Sequence, residues 1–138
     1  METDKERIII DTDVLVDMLR GEEKTVKVIS EFESRKRILS TTVINVFELY
    51  YGAYKSKKRL QNLNATRRLL ERIIVLKMGS KSAEKAGQIY AELEAMGQTI
   101  GLRDLMVGAI AVSRGYTLIT GNVKHMQKIK GLNLMAAP

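Results

Sequence analysis

The stretch Ile8-Ile9-Ile10-Asp11-Thr12-Asp13-Val14-Leu15 decides how this chain folds. Three consecutive isoleucines fit a short strand covered on both faces. Leu15, Met18 and Leu19 then recur at helical spacing, so the chain turns at Thr12 or Asp13 and a helix follows. Asp11, Thr12 or Asp13 in that position caps a helix. A carboxylate at the carboxyl end of a hydrophobic strand is also where open α/β folds place their chemistry. Both readings stand for Asp11 at this point.

Strand and helix patterns alternate along the rest of the chain, which predicts a mostly parallel sheet of four to five strands between two helical layers. Strands are expected at 7–10, 38–41, 73–76, 117–120 and 132–135. Helices are expected at 13–19, 22–34, 43–54, 57–73, from Ser80 or Ser82 to 96, 102–114 and 123–129, with Gly21 and Gly115 as stops. Length, and the absence of repeats or a Pro-rich or Gly-rich linker, make residues 1–138 a single domain in this reading.

Composition narrows the chemistry. Cysteine is absent, which excludes disulfides, zinc–thiolate sites and thiol catalysis. With one histidine, His125, a Ser-His-Asp triad or a histidine-rich metal site is not expected. A bound metal would be held mainly by oxygen, which favours Mg²⁺ or Mn²⁺. The formal charge of +7 points to an anionic partner, nucleic acid or an acidic protein. No apolar run reaches the roughly 18 residues of a membrane span. Residues 1–7 lack a signal peptide's apolar segment, so a cytoplasmic location is expected.

Three further polar positions stand in unusual company. Glu48 lies in Val43-Ile44-Asn45-Val46-Phe47-Glu48-Leu49-Tyr50-Tyr51-Gly52-Ala53-Tyr54, apolar on nearly all sides. Such a helix is usually buried all round, though Phe47, Tyr50, Tyr51 and Tyr54 are too many aromatics for one face and divide between the core and a partner-facing surface. Asn45, Glu48 and Gly52 then form one narrow stripe, and an unpaired carboxylate there costs several kcal/mol, so it needs a cation, donors or a wet cleft. Asp104 sits one turn into the apolar helix at 102–114, where it either complements the helix dipole, paired with Arg103 or Arg114, or faces a site. Thr120 and Asn122 flank Gly121 at the end of the fourth strand, as Asp11 ends the first. Gly-Asn is also ordinary turn chemistry. Asp11, Glu48, Asp104 and Asn122 thus come from separate elements that a doubly wound sheet can gather together.

With these pieces in order, the chain resembles the PIN-domain ribonucleases, most closely the VapC toxins of VapBC toxin–antitoxin pairs. The matching segments are 9–17 with Leu19-Arg20-Gly21; Glu48-Leu49-Tyr50-Tyr51-Gly52; Asp104-Leu105 with Ala109-Ile110-Ala111; and Leu118-Ile119-Thr120-Gly121-Asn122 with His125, Ile129 and Gly131-Leu132. The resemblance implies a three-layer α/β/α fold and hydrolysis of RNA phosphodiester bonds with Mg²⁺ or Mn²⁺. Asp11, Glu48 and Asp104 become the metal-binding acids, and Asn122 the neutral form of a fourth position that is Asp or Asn in the family. One carbonyl oxygen there adds no negative charge, which argues against a permanently filled second metal site. Thr120 looks like the family's hydroxyl support for the first acid. Asn45 stands where the family often has Thr, and Asp13 adds charge near the metal. The resemblance also implies a homodimer and inhibition by a VapB-type antitoxin. The chemistry is consistent in itself, because a cluster of acids meets RNA phosphate only through a divalent cation.

Two surface features remain. Lys55, Lys57, Lys58, Arg59, Arg67, Arg68 and Arg72 form the most basic region, read either as contacts to the RNA backbone or as a solvated helix face. His125 either ends a short helix, contacts RNA or donates a hydrogen bond near the site. Three other readings compete with the nuclease. A haloacid-dehalogenase-like phosphohydrolase would use Asp11 as nucleophile and Asp13 as general acid, but it wants a downstream lysine and a late acidic pair where Asn122 stands alone. A receiver-like domain would need an acid after the third strand, where Leu76-Lys77-Met78-Gly79 has none. A non-catalytic RNA-binding module with a decayed site draws its support from Asn122.

Overall fold

The first strand, β1 (Arg7–Ile10), runs through the middle of the molecule, with Ile8, Ile9 and Ile10 excluded from solvent. Side chains alternate across a strand, and here the two faces enter different cores. Ile9 joins Leu118, Ile110 and Leu93 on one side, while Ile8 and Ile10 join Ile119, Leu15, Ile29 and Leu49 on the other. A strand with both faces buried needs a helical layer on each, and that requirement sets the architecture. The fold comes from a computed structural model, which describes residues 7–138. The charged residues ahead of β1 lie outside the described residues.

The remaining strands are β2 (Ile38–Thr42), β3 (Ile74–Leu76), β4 (Thr117–Thr120) and β5 (Asn133–Ala136). They form one five-stranded sheet in the order β3-β2-β1-β4-β5, with every pairing parallel. One layer holds α1 (Thr12–Leu19), α2 (Glu23–Ser34), α3 (Val43–Lys55) and α4 (Arg59–Leu70), which supply Leu15, Ile29, Leu49 and Leu69 to the core. The other holds α5 (Ser80–Ala95), α6 (Leu102–Arg114) and α7 (Val123–Met126), with Ile89, Val107, Ile110 and Met126 inward. The expected three-layer α/β/α fold is the one observed. Among the described residues no helix is long and apolar enough to cross a membrane.

The strand order positions the site. From β1 the chain passes to β2 on one side, and β4 occupies the other, so connections leave β1 and its neighbour β4 toward opposite halves of the sheet. A crevice opens at the carboxyl ends of such strands. Asp11 follows β1, and Asn122 lies two residues beyond β4.

Several boundaries differ from those expected. The helix expected at 57–73 ends at Leu70, because Ile73 turns into the core and the strand needs Ile74 onward. The last helix is one turn, ending at Met126 rather than residue 129. Neither Ser80 nor Ser82 caps α5. Gly79 holds the N-cap position, and the Ser82 hydroxyl instead bonds that of Ser113 across the α5–α6 contact, 2.8 Å. The largest departure is α3. Asn45, Leu49 and Ala53 are buried, but Phe47, Tyr51 and Tyr54 are more than half exposed. The helix is therefore amphipathic with an aromatic outer face, not buried all round. Gly115 stops α6 as expected, with a left-handed φ of 71° that an L-residue adopts only at a cost.

Ile110 contacts the sheet from the middle of α6 and is fully buried. Ile110→Ala is expected to lower unfolding free energy by about 2–5 kcal/mol, read as a shifted midpoint with unchanged slope in urea denaturation.

Candidate metal centre

Asp11 occupies two roles at once. It is the N-cap of α1, accepting from the Thr12 N–H at 2.8 Å, and its side chain is almost completely buried. The same Oδ1 accepts from Asn45 Nδ2 at 2.9 Å, while Oδ2 accepts from Thr120 Oγ1 at 2.7 Å. A buried carboxylate survives only with such donors. Helix capping and site formation are thus the same contact.

Asn45 is the joint between this acid and β2. Its Oδ1 accepts from both the N–H and the hydroxyl of Thr42, closing a capping box at the start of α3. Its Nδ2 bonds Asp11 and, at 2.8 Å, Thr12 Oγ1. The Thr12 hydroxyl in turn donates to Glu48 Oε1 at 2.6 Å. Glu48 stands one turn beyond Asn45 on α3, so the cap that fixes Asn45 also aims the second acid.

Asp104 enters from the first turn of α6. Arg103 precedes it, and the Arg103 guanidinium lies among all three acids. Nε donates to Glu48 Oε1 and Oε2 at 3.0 and 3.1 Å, and Nη1 to Asp104 Oδ1 at 2.8 Å and Asp11 Oδ2 at 3.4 Å. Nη2 pairs closely with Asp11 Oδ1 and lies 3.2 Å from Thr12 Oγ1. Burial alone would lower the Arg103 pKa, but its bonds to Glu48, Asp11 and Asp104 raise it above the usual arginine value. The residue stays a cation.

Asn122 bonds Asp104 Oδ2 through Nδ2 at 3.2 Å, and its Oδ1 lies 2.6 Å from His125 Nδ1. A carboxylate only accepts hydrogen bonds, so Asn122 must turn its amide NH₂ toward Asp104. Its oxygen then faces His125, whose Nδ1 carries the hydrogen. The one carbonyl oxygen expected to face a metal is therefore engaged with the histidine, while the amide supports the third acid.

The Asp13 carboxylate lies near enough for the charges of Asp11 and Arg103 to act on it, and it is also anchored by backbone bonds. Its Oδ1 accepts from the Val14 N–H at 2.9 Å and its Oδ2 from the Gly121 N–H at 2.8 Å. It pins the β4–α7 turn to the start of α1. A Cβ at residue 121 would meet that oxygen, so a larger residue there displaces the Asp13 carboxylate from its bond. Burial, and then the charge of Asp11, push the Asp13 carboxyl above its ordinary value.

The structure thus gathers Asp11, Glu48, Asp104, Asn122, Thr120 and Asn45 at one sheet edge, with Asp13 beside them on bonds to the Val14 and Gly121 backbone. Sequence reasoning missed Thr12, and took Arg103 only as a partner for Asp104. The donor set consists of hard carboxylate oxygens, which suits Mg²⁺ or Mn²⁺, and the acids already converge on one cation, the guanidinium. As they stand around it, no three acids among the described residues form a ready ligand group. The lysine that the phosphohydrolase reading wants is not among the partners of Asp11, which are Thr12, Asn45, Thr120 and Arg103.

A family model described as the PIN domain matches residues 8–132. The chain belongs to the PIN-domain family. It is 29% identical to Ribonuclease VapC2 of Haemophilus influenzae over 91% of this chain and 94% of that protein. Identity is also 29%, with the same coverage of each, to the tRNA(fMet)-specific endonuclease VapC of Shigella flexneri. Among solved structures, VapBC2 of Rickettsia felis bound to a DNA fragment from its promoter superposes with a TM-score of 0.87. That match has 27% identity and covers 94% of this chain and 98% of the other. The resemblance to VapC proteins, first seen in four short segments, extends over nearly the whole PIN domain.

Asn45 is fully buried and satisfies Thr42, Thr12 and Asp11 together. Asn45→Ala is expected to cost about 2–3 kcal/mol by leaving buried donors and acceptors unpaired. Chemical denaturation measures this, and a loss under about 0.5 kcal/mol would remove Asn45 from its place as the joint.

Proposed function

We propose that the protein is a divalent-metal-dependent endoribonuclease of the VapC kind, acting in the cytoplasm and neutralised by a VapB-type antitoxin. One observation carries this reading: in a PIN-domain chain, Asp11, Glu48 and Asp104 arrive from three separate elements and close on a single cation.

Asp11, Asp104 and Glu48 would hold the ion, Mg²⁺ or Mn²⁺. When bound, it would supply the charge that lets an acidic cleft accept RNA phosphate and would acidify an attacking water. The chain's own residues do the rest. Thr120 and Asn45 hold Asp11 in place by donating to it. The Asn122 amide holds Asp104, and His125 holds Asn122. Thr12 orients Glu48. These bonds hold each acid at the cleft before an ion enters. Cleavage would leave a 5′-phosphate and a 3′-hydroxyl.

The surroundings support a polyanionic substrate. A groove of about 420 Å³ runs past Glu48 and is lined also by Arg20, Arg68, Gln61 and Asn62. Arginines in a groove that leads to the acids can hold backbone phosphates beside them. The exposed Phe47, Tyr51, Tyr54 and Leu60 give α3 and α4 an apolar outer face of the sort that antitoxin or a second copy of the chain covers. A homodimer fits that surface.

Asp11→Asn and Asp104→Asn are each expected to reduce RNA cleavage in saturating Mg²⁺ by at least about 100-fold. Circular dichroism should show the fold retained. Full cleavage by either purified variant would refute the assignment. Salt-sensitive RNA binding with no metal-dependent cleavage by the unaltered protein would favour a binding module instead.

A further inference from the structure

Arg103 has the position of a ligand rather than of a surface residue. Its guanidinium donates to Glu48, Asp104, Asp11 and Thr12, and its side chain is only 30% exposed. Residues adjacent in a helix do not share a face, so Arg103 reaches the acids by folding its long side chain back over the cleft beside Asp104. The oxygens it engages are those on which the nuclease reading depends. Asp11 and Glu48 each present both oxygens to it. A carboxylate lone pair directed at a guanidinium N–H is not directed at a metal ion.

Electrostatics explains why a cation sits there at all. Three carboxylates held at one sheet edge, one of them almost wholly buried, repel one another strongly when the cleft holds no other charge. One guanidinium relieves that repulsion and holds the acids in place. A single positive charge against three carboxylates still leaves the pocket negative, so a divalent ion gains by entering. Both cations need the same oxygens, so they cannot share the pocket.

On the nuclease reading above, we propose that Arg103 is a positioning residue: the resident counter-ion of the metal-free site, exchanged for the divalent cation when it binds. It keeps Asp11, Glu48 and Asp104 assembled before loading. It also sets the metal affinity, because every loading event must first break its ion pairs.

The test uses the full chain without RNA. In the unaltered protein, the ¹⁵N–¹H resonance of the Arg103 Nε is expected to be protected in metal-free solution. It should shift or broaden as Mg²⁺ is titrated to saturation. In calorimetric titration with Mn²⁺, Arg103→Ala should bind at least tenfold more tightly than the unaltered chain, with Arg103→Lys between them. The metal-free Arg103→Ala protein should melt at a lower temperature and gain more from Mn²⁺. If Mg²⁺ binds and the Arg103 resonance stays where it was, or if Arg103→Ala binds Mn²⁺ no more tightly, the exchange is wrong while the nuclease reading stands. If neither protein binds Mn²⁺ or Mg²⁺, both fall together. Should Arg103→Ala fail to fold, the resonance in the unaltered protein decides.

Discussion

Like charges brought together at a buried edge repel, and the carboxyl end of this sheet is built around that fact. Asp11 is almost completely buried beside two other acids. It is tolerable only because each of its oxygens meets several donors, and those donors come from α1, α3, β4 and α6. The fold and the site are therefore not separable layers of description. The capping box of α3, the N-cap of α1 and the last residue of β4 are all parts of one hydrogen-bond network that ends on a carboxylate. Removing any of these bonds loosens a secondary-structure terminus and misplaces an acid in the same act.

The parallel sheet makes this convergence possible. All five strands end on the same side, so polar residues that follow β1 and β4 meet the helices that start there. Hydrophobic burial on both faces of β1 fixes the sheet's depth in the molecule. With Ile8, Ile9 and Ile10 excluded from water, the next residue along has nowhere to go but the crevice. The energy of the core thus holds a charged residue where charge alone would not keep it.

Much of this was legible in the sequence, because strand and helix periods are local and strong. The isoleucine run, the apolar spacing of α6 and the glycine after Arg114 mark elements whose positions follow from a few residues each. Glu48 and Asp104 stood out because a carboxylate within an apolar helix demands an explanation. Which α3 aromatics face outward was left open for a physical reason: tyrosine and phenylalanine carry no mark that separates core from partner-facing surface, and Phe47 and Tyr51 stack on one another at the exterior. The anchoring of Asp13 was not legible because one of its bonds goes to the backbone of Gly121, more than a hundred residues along the chain. Arg103 was hidden for a similar reason. A basic residue next to an acid reads as a local pair, and only the three-dimensional arrangement shows that it serves three acids from three elements. His125 was read as a helix terminator, an RNA contact or a hydrogen-bond donor near the site, and its bond to Asn122 is of the last kind.

The account stands or falls on whether the acids of this edge grip a divalent ion. Crystals of the protein soaked in Mn²⁺ and measured at the manganese absorption edge give the most direct answer. The account predicts an anomalous peak among the carboxylates of Asp11, Glu48 and Asp104, with the Arg103 guanidinium withdrawn from them. A saturating soak with no peak at that edge, and Arg103 still paired with all three acids, would contradict it.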